Sequence, residues 1–144
     1  MTTTLPVTGG CLCGAVRYTI DAEPIATRIC WCRDCQHLAA GNATVNVIFP
    51  SDKIAITGET RGYESHADSG NVMHRRFCPA CGTPLFSEAE VRPHLIIVRA
   101  GTLDDPEVAR PSATIWTDSA PHWALIDETL PKIEGQPAPV TTRR

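Results

Sequence analysis

The chain has 144 residues, 20% of them charged, and a net charge of -3. That length fits one domain, and the acidic balance argues against a nucleic-acid binder that relies on a basic footprint. No apolar run reaches the ~20 residues of a membrane helix, and Met1-Thr2-Thr3-Thr4-Leu5-Pro6 has neither a basic nor an apolar leader region. The expectation is a soluble, cytoplasmic protein that binds neither nucleic acid nor membrane.

Short β-like runs alternate with turn signals along the body. Residues 15–20 (AVRYTI) alternate as a strand, and 43–49 (ATVNVIF) form another, closed by Pro50-Ser51-Asp52. Residues 54–57 and 62–65 are shorter strands separated by the Gly58 turn, and 71–77, 85–87 and 94–99 (HLIIVR) complete the set. Helical signal is confined to 33–40 and to a turn after Asp104-Asp105-Pro106, and twelve prolines disfavour long helices. The ends, Thr2 to Thr8 and Glu134 to Arg144, lack apolar periodicity and read as tails. This predicts one mostly-β domain with short helical turns over 8–132, flanked by tails at 1–7 and 133–144.

Seven cysteines in a chain expected in a reducing compartment point to metal ligands rather than disulfides. They fall into Cys11-x-Cys13, Cys30-x-Cys32-x-x-Cys35 and Cys78-x-x-Cys81. A Cys-x-Cys step in extended chain aims both thiols to one face. A Cys-x-x-Cys step at a tight turn makes the knuckle of structural zinc sites. In Cys78-Pro79-Ala80-Cys81-Gly82 the proline pre-sets the turn and Gly82 permits a left-handed residue. Two pairs, Cys11/Cys13 and Cys78/Cys81, make a closed four-cysteine site. The triad Cys30/Cys32/Cys35 then has three ligands and an open position, as in catalytic zinc sites. Other divisions remain open, since spacing does not say which groups meet.

Gly9-Gly10-Cys11-Leu12-Cys13-Gly14, Cys30-Trp31-Cys32-Arg33-Asp34-Cys35 and Phe77-Cys78-Pro79-Ala80-Cys81-Gly82-Thr83 together resemble the glutathione-dependent formaldehyde-activating enzyme family, also called the CENP-V/GFA domain. The resemblance implies a zinc-stabilised β-tent fold. Cys11, Cys13, Cys78 and Cys81 correspond to its structural zinc ligands, and Cys30, Cys32 and Cys35 to a second zinc where the glutathione adduct reacts. The implied activity is a carbon–sulfur lyase reaction, the condensation of glutathione with formaldehyde to S-hydroxymethylglutathione. Trp31 stands where many members carry His or another polar residue, which points to a changed substrate.

Three thiolates on Zn²⁺ leave one net negative charge and a soft centre, better suited to capturing a further thiol than to activating water. The thiol loses its proton on coordination and adds to an aldehyde carbonyl. Compensating cations are expected nearby: Arg33 first, His37 second, then Arg75 and Arg76. Cys30, Cys32, Cys35 and Arg33 are thus the candidate catalytic residues, with glutathione or another thiol and its aldehyde adduct as ligand. The competing reading is a non-enzymatic zinc module that binds a protein partner, its triad completed by His37 or another residue. Redox and iron–sulfur readings of the cysteines fit the surrounding pattern less well. His66, His74, His94 and His122 read as surface or hydrogen-bonded residues. Trp116, His122 and Trp123 read as packing or a pocket wall.

Overall fold

Tyr18 and Ile20 are buried while Arg17 and Thr19 between them are exposed, the two-residue period of a half-buried strand. The same logic extends through the computed structural model, which describes residues 3–140. Its strands in chain order are β1 Val7–Gly10, β2 Arg17–Ile20, β3 Ala26–Cys30, β4 Thr44–Pro50, β5 Ile54–Thr57, β6 Arg61–His66, β7 Val72–Phe77, β8 Pro84–Ala89, β9 Leu95–Arg99, β10 Ala113–Ile115 and β11 Lys132–Ile133. A single short α-helix among the described residues, α1 Arg33–Leu38, follows β3, and 3-10 turns punctuate the rest. The protein is mostly β, as the pattern predicts.

Two sheets result. A three-stranded sheet runs β1-β2-β5, and an eight-stranded sheet runs β11-β10-β3-β4-β9-β8-β7-β6. Val7, Tyr18 and Ile20 of the small sheet meet Val47, Phe49, Phe86, Ile96 and Val98 of the large one in the main core. Each such fully buried side chain is worth about 1.5–3 kcal/mol relative to exposure. Tyr18 packs edge-on against Phe86, with ring centroids 5.4 Å apart.

Period two then sends the alternate residues of β3, β4, β7, β8 and β9 to the opposite face of the large sheet. That face carries Arg28, Asn46, Arg75, Ser87 and Arg99, all at a cavity surface. One sheet therefore separates an apolar core from a polar, cationic cavity.

The structure adds strands that the sequence pattern does not announce. β10 pairs in parallel with β3 on one side and β11 on the other, and runs of two or three residues are too short to display a period. Val7 and Thr8, in the stretch read as a tail, form half of β1. At the other end Gly135 and Glu134 accept backbone hydrogen bonds from Trp116 (3.3 Å) and Asp118 (3.2 Å). The helix expected over 33–40 stops at Leu38, with Ala39 as C-cap and Ala40 at a φ of 57°. No helix among the described residues is long and apolar enough to cross a membrane.

Candidate functional site

All seven cysteines are free thiols, and the fold gathers them into two groups. Cys11, Cys13, Cys78 and Cys81 bring their Sγ atoms within 4.8 Å of one another. Cys11 and Cys13 follow β1, and their sulfurs are 3.6 Å apart. Cys78 and Cys81 occupy the turn between β7 and β8, closed by a 2.8 Å hydrogen bond from Gly82 N–H to Cys78 C=O. Gly82 is left-handed there, at φ 79°, as the turn requires.

A tetrahedral metal with bonds of about 2.3 Å to sulfur has sulfur–sulfur edges of about 3.8 Å. The Cys13–Cys78 separation is 3.8 Å, so the four sulfurs fit a zinc ion. Val16 N–H donates to Cys11 Sγ at 3.2 Å and holds that thiol below its ordinary pKa, whereas Cys13, despite the Ala15 backbone bond, is pushed up to about 11 by its sulfur neighbours, Cys11 first. Cys81 is lowered to about 5, first by the Thr83 hydroxyl and then by the Thr83 N–H. Thr83 also accepts from Leu12 N–H at 3.1 Å, tying the two knuckles together.

The second group is Cys30, Cys32 and Cys35, again with sulfurs within 4.8 Å. Cys30 ends β3, Cys32 caps α1, and Cys35 lies in its first turn. The cap is a 3.3 Å hydrogen bond from Cys35 N–H to Cys32 Sγ. Gln36, buried beside them, donates to Trp31 C=O at 2.8 Å and to Ser119 C=O at 3.0 Å, fixing the helix against the chain that follows β10. Hydrogen bonds from the Cys30 and Cys32 thiols push Cys35 far below the ordinary thiol range, with the Arg99 charge acting the same way. The contacts with Cys32 and Cys35 push Cys30 far up. Three buried sulfurs within 4.8 Å of one another fit a divalent cation, whose charge would favour ionisation of all three.

The two groups differ in what surrounds them. Cys30, Cys32 and Cys35 line a cavity of about 110 Å³ whose wall also includes Arg28, Arg75, Arg92, Arg99, Asp68 and Trp116. Arg75 and Arg99 are each only 9% exposed. Arg75 bonds to Ser65 and reaches Asp34 at 3.5 Å, whereas Arg99 bonds to neutral Asn46. Burial lowers the pKa of Arg28 and Arg99, and the neighbouring Arg92 and Arg75 charges act in the same direction.

Arg33, expected as the first compensating cation, is exposed, donates to Gln36 Oε1 and does not line the cavity. His37 is exposed too, its Nδ1 2.8 Å from Arg33 C=O and outside the cysteine group. Arg76 pairs with Glu88 at 3.3 Å, away from the cavity wall. Of the cations named from sequence, Arg75 alone reaches it. Trp123 packs edge-on to Trp31 at 6.4 Å between centroids, leaving Trp116 as the cavity aromatic. In a third cluster, Glu64 and Glu90 are exposed and His74 is half-buried, and the histidine faces the two carboxylates with opposite ring nitrogens.

Among solved structures, the chain is similar to a Rhodobacter sphaeroides protein determined by structural genomics, with TM-score 0.52 and 20% identity over 67% of this chain and 87% of that one. At that identity the likeness describes the fold alone. No curated protein matches the chain. The model of the glutathione-dependent formaldehyde-activating enzyme family matches residues 6–119. That match spans both cysteine groups and most of the two sheets, and the chain belongs to this family.

Proposed function

We propose that the protein is a zinc-dependent enzyme of the carbon–sulfur lyase type, joining a thiol such as glutathione to formaldehyde or a related small aldehyde and releasing it again. The observation that carries this reading is the open setting of the triad. Cys30, Cys32 and Cys35 face a cavity, whereas a purely structural cluster has no use for one. Zinc held by the three thiolates would favour the thiolate form of an incoming thiol and leave it nucleophilic at neutral pH.

The chain's own residues supply the remainder. The Cys32 cap and the Gln36 bonds hold the three sulfurs in place. Arg99 and Arg75 offset the negative charge of a bound thiolate, a service that Arg33 on the exposed helix face does not provide. Leu95, Ile97 and Ile115 add an apolar part of the wall, which strengthens those charge interactions by excluding water. The four-cysteine group serves as a structural zinc site.

Native mass spectrometry of the zinc-loaded chain, with and without glutathione, tests the reading. Two zinc ions and a glutathione adduct are expected, with the adduct absent from Cys32→Ala. Two zinc ions without any thiol adduct would overturn the enzyme in favour of a scaffold that binds another protein.

A further inference from the structure

The cavity arginines narrow the electrophile, an inference that rests on the thiol-adduct reading. Arg28 pairs with Asn46 across β3 and β4, and Asn46 with Arg99 across β4 and β9. The three residues form one cross-strand row. Cys30 lies two residues along β3 from Arg28, so both leave the same face about 7 Å apart along the strand. Arg75 joins that face through Ser87, which pairs with Arg75 on one side and Ile97 on the other.

Arg75 apart, these cations lack partners of the opposite sign. Asp34 pairs with Arg75, but no carboxylate of the described residues pairs with Arg28, Arg92 or Arg99. The buried Nε atoms of Arg75 and Arg99 have no acceptor. Guanidinium groups held out of water without a counter-charge are costly. A three-thiolate zinc centre offers one net negative charge, and Asp68 in the wall a second. A bound thiolate balances the remaining charge, yet the guanidinium groups of Arg28 and Arg92 and the Nε of Arg99 still have no acceptor among the described residues, and formaldehyde offers them none. The ligand that matches a planar fork of N–H donors is a carboxylate.

We propose that the row Arg28–Asn46–Arg99, with Arg75, is a carboxylate subsite, and that the electrophile is a small aldehyde whose reacting carbon bears a carboxylate. In the reaction the thiolate sulfur bonds to the aldehyde carbon. The C=O π pair moves to oxygen, which takes up the proton given up by the thiol. The reverse step breaks the C–S bond and returns both, with no net oxidation or reduction. The carboxylate stays beside the new C–S bond, where the arginine row stands one step along the sheet from Cys30.

Calorimetric titration of the zinc-loaded full chain with mercaptoacetate and with 2-mercaptoethanol tests the subsite, because only the first has a carboxylate beside its sulfur-bearing carbon. Mercaptoacetate is expected to bind at least about tenfold more tightly. The preference should fall to within about twofold in Arg99→Gln and in the half-buried, more tolerant Arg28→Gln, with zinc content unchanged. Equal affinities in the wild type, or a preference that survives both substitutions, overturn the proposal.

A second pair of probes separates the electrophile's carboxylate from those of glutathione. S-(carboxymethyl)glutathione and S-methylglutathione share the tripeptide and differ at the added carbon alone. Tighter binding of the first supports the proposal, and measurable but equal binding of the two overturns it. Glutathione titrated alongside isolates the underlying reading. If it fails to bind while mercaptoacetate keeps its preference, glutathione is excluded as the thiol and the carboxylate subsite is supported.

Discussion

The Sγ atoms of Cys13 and Cys78 lie 3.8 Å apart although the residues are separated by 65 positions. A metal held at that point would fasten the turn after β1 to the turn between β7 and β8, and so join the small sheet to the large one. In the unfolded chain the four thiols are scattered, and the metal's binding energy becomes folding energy.

Cys78→Ser should therefore cost both metal and stability. Cys78 is fully buried, and a weakened site is expected to lower stability by about 3 kcal/mol or more, roughly 10 °C in Tm for a domain of this size. Metal content should fall by one ion per chain. Elemental analysis and scanning calorimetry on the same preparation check it, and wild-type values in both would remove the structural role.

His37→Ala discriminates between the open triad and a closed one. The imidazole is exposed and its Nδ1 faces Arg33 C=O at 2.8 Å, so its loss should leave the metal count unchanged and stability within about 0.5 kcal/mol. A drop of one metal ion would identify His37 as the fourth ligand and close the site.

Much of this was legible in the sequence. Alternation located β2, β4, β5 and β7, and the cysteine spacings grouped the thiols as they meet in space. Of the cavity arginines only Arg75 was named from the sequence, and the others were not legible for a physical reason. Arg28, Arg75, Arg92 and Arg99 lie on different strands or loops, and only the register of β3, β4, β9, β8 and β7 brings them to one face. Arg33 looked favourable because it adjoins the cysteines along the chain. On α1, adjacent residues point about 100° apart, and Arg33 faces outward while Cys32 and Cys35 face in.

Arg17 and Asp104 give a pH-dependent contribution. Arg17 donates to both Asp104 oxygens, at 3.0 Å to Oδ1, and Thr8 Oγ1 donates to Oδ2 at 2.7 Å. These bonds, Arg17 first, lower the Asp104 pKa from its usual 3.8. A depressed folded-state pKa stabilises above the unfolded value and is lost as pH falls through the folded one. The pair is about half exposed, so the effect should be under about 1 kcal/mol. The Tm gap between wild type and Asp104→Asn should be constant from about pH 5 to 7 and shrink below about pH 4. A gap that grows on acidification would contradict it.

Tyr18 supplies the last prediction, because its hydroxyl is where the two sheets are tied behind the cavity. Tyr18 Oη is 2.7 Å from Thr102 Oγ1, and Thr102 Oγ1 itself donates to Arg99 C=O at 2.8 Å. With the threonine proton so committed, Tyr18 must be the donor, and burial keeps it protonated by pushing its pKa up to about 12. Tyr18→Phe removes one buried hydrogen bond at a cost of about 1–2 kcal/mol. Gly9 lies against the same contact: a Cβ there would sit 2.3 Å from Thr102 C=O and 2.3 Å from Tyr18 Oη. Gly9→Ala should thus cost more, about 2–3 kcal/mol, by forcing the hairpin away from the end of β9. Of the three close contacts of that Cβ, the third being the Tyr18 ring Cζ at 2.5 Å, only the one to Oη goes with the hydroxyl. Because Gly9→Ala also disturbs the Tyr18–Thr102 bond that Tyr18→Phe removes, the double variant should lose at least about 0.5 kcal/mol less than the sum of the singles. Urea denaturation of the four proteins measures that coupling. Additive losses would mean that Gly9 and Tyr18 act independently, and that the hydroxyl is not what limits the approach of β1 to the large sheet.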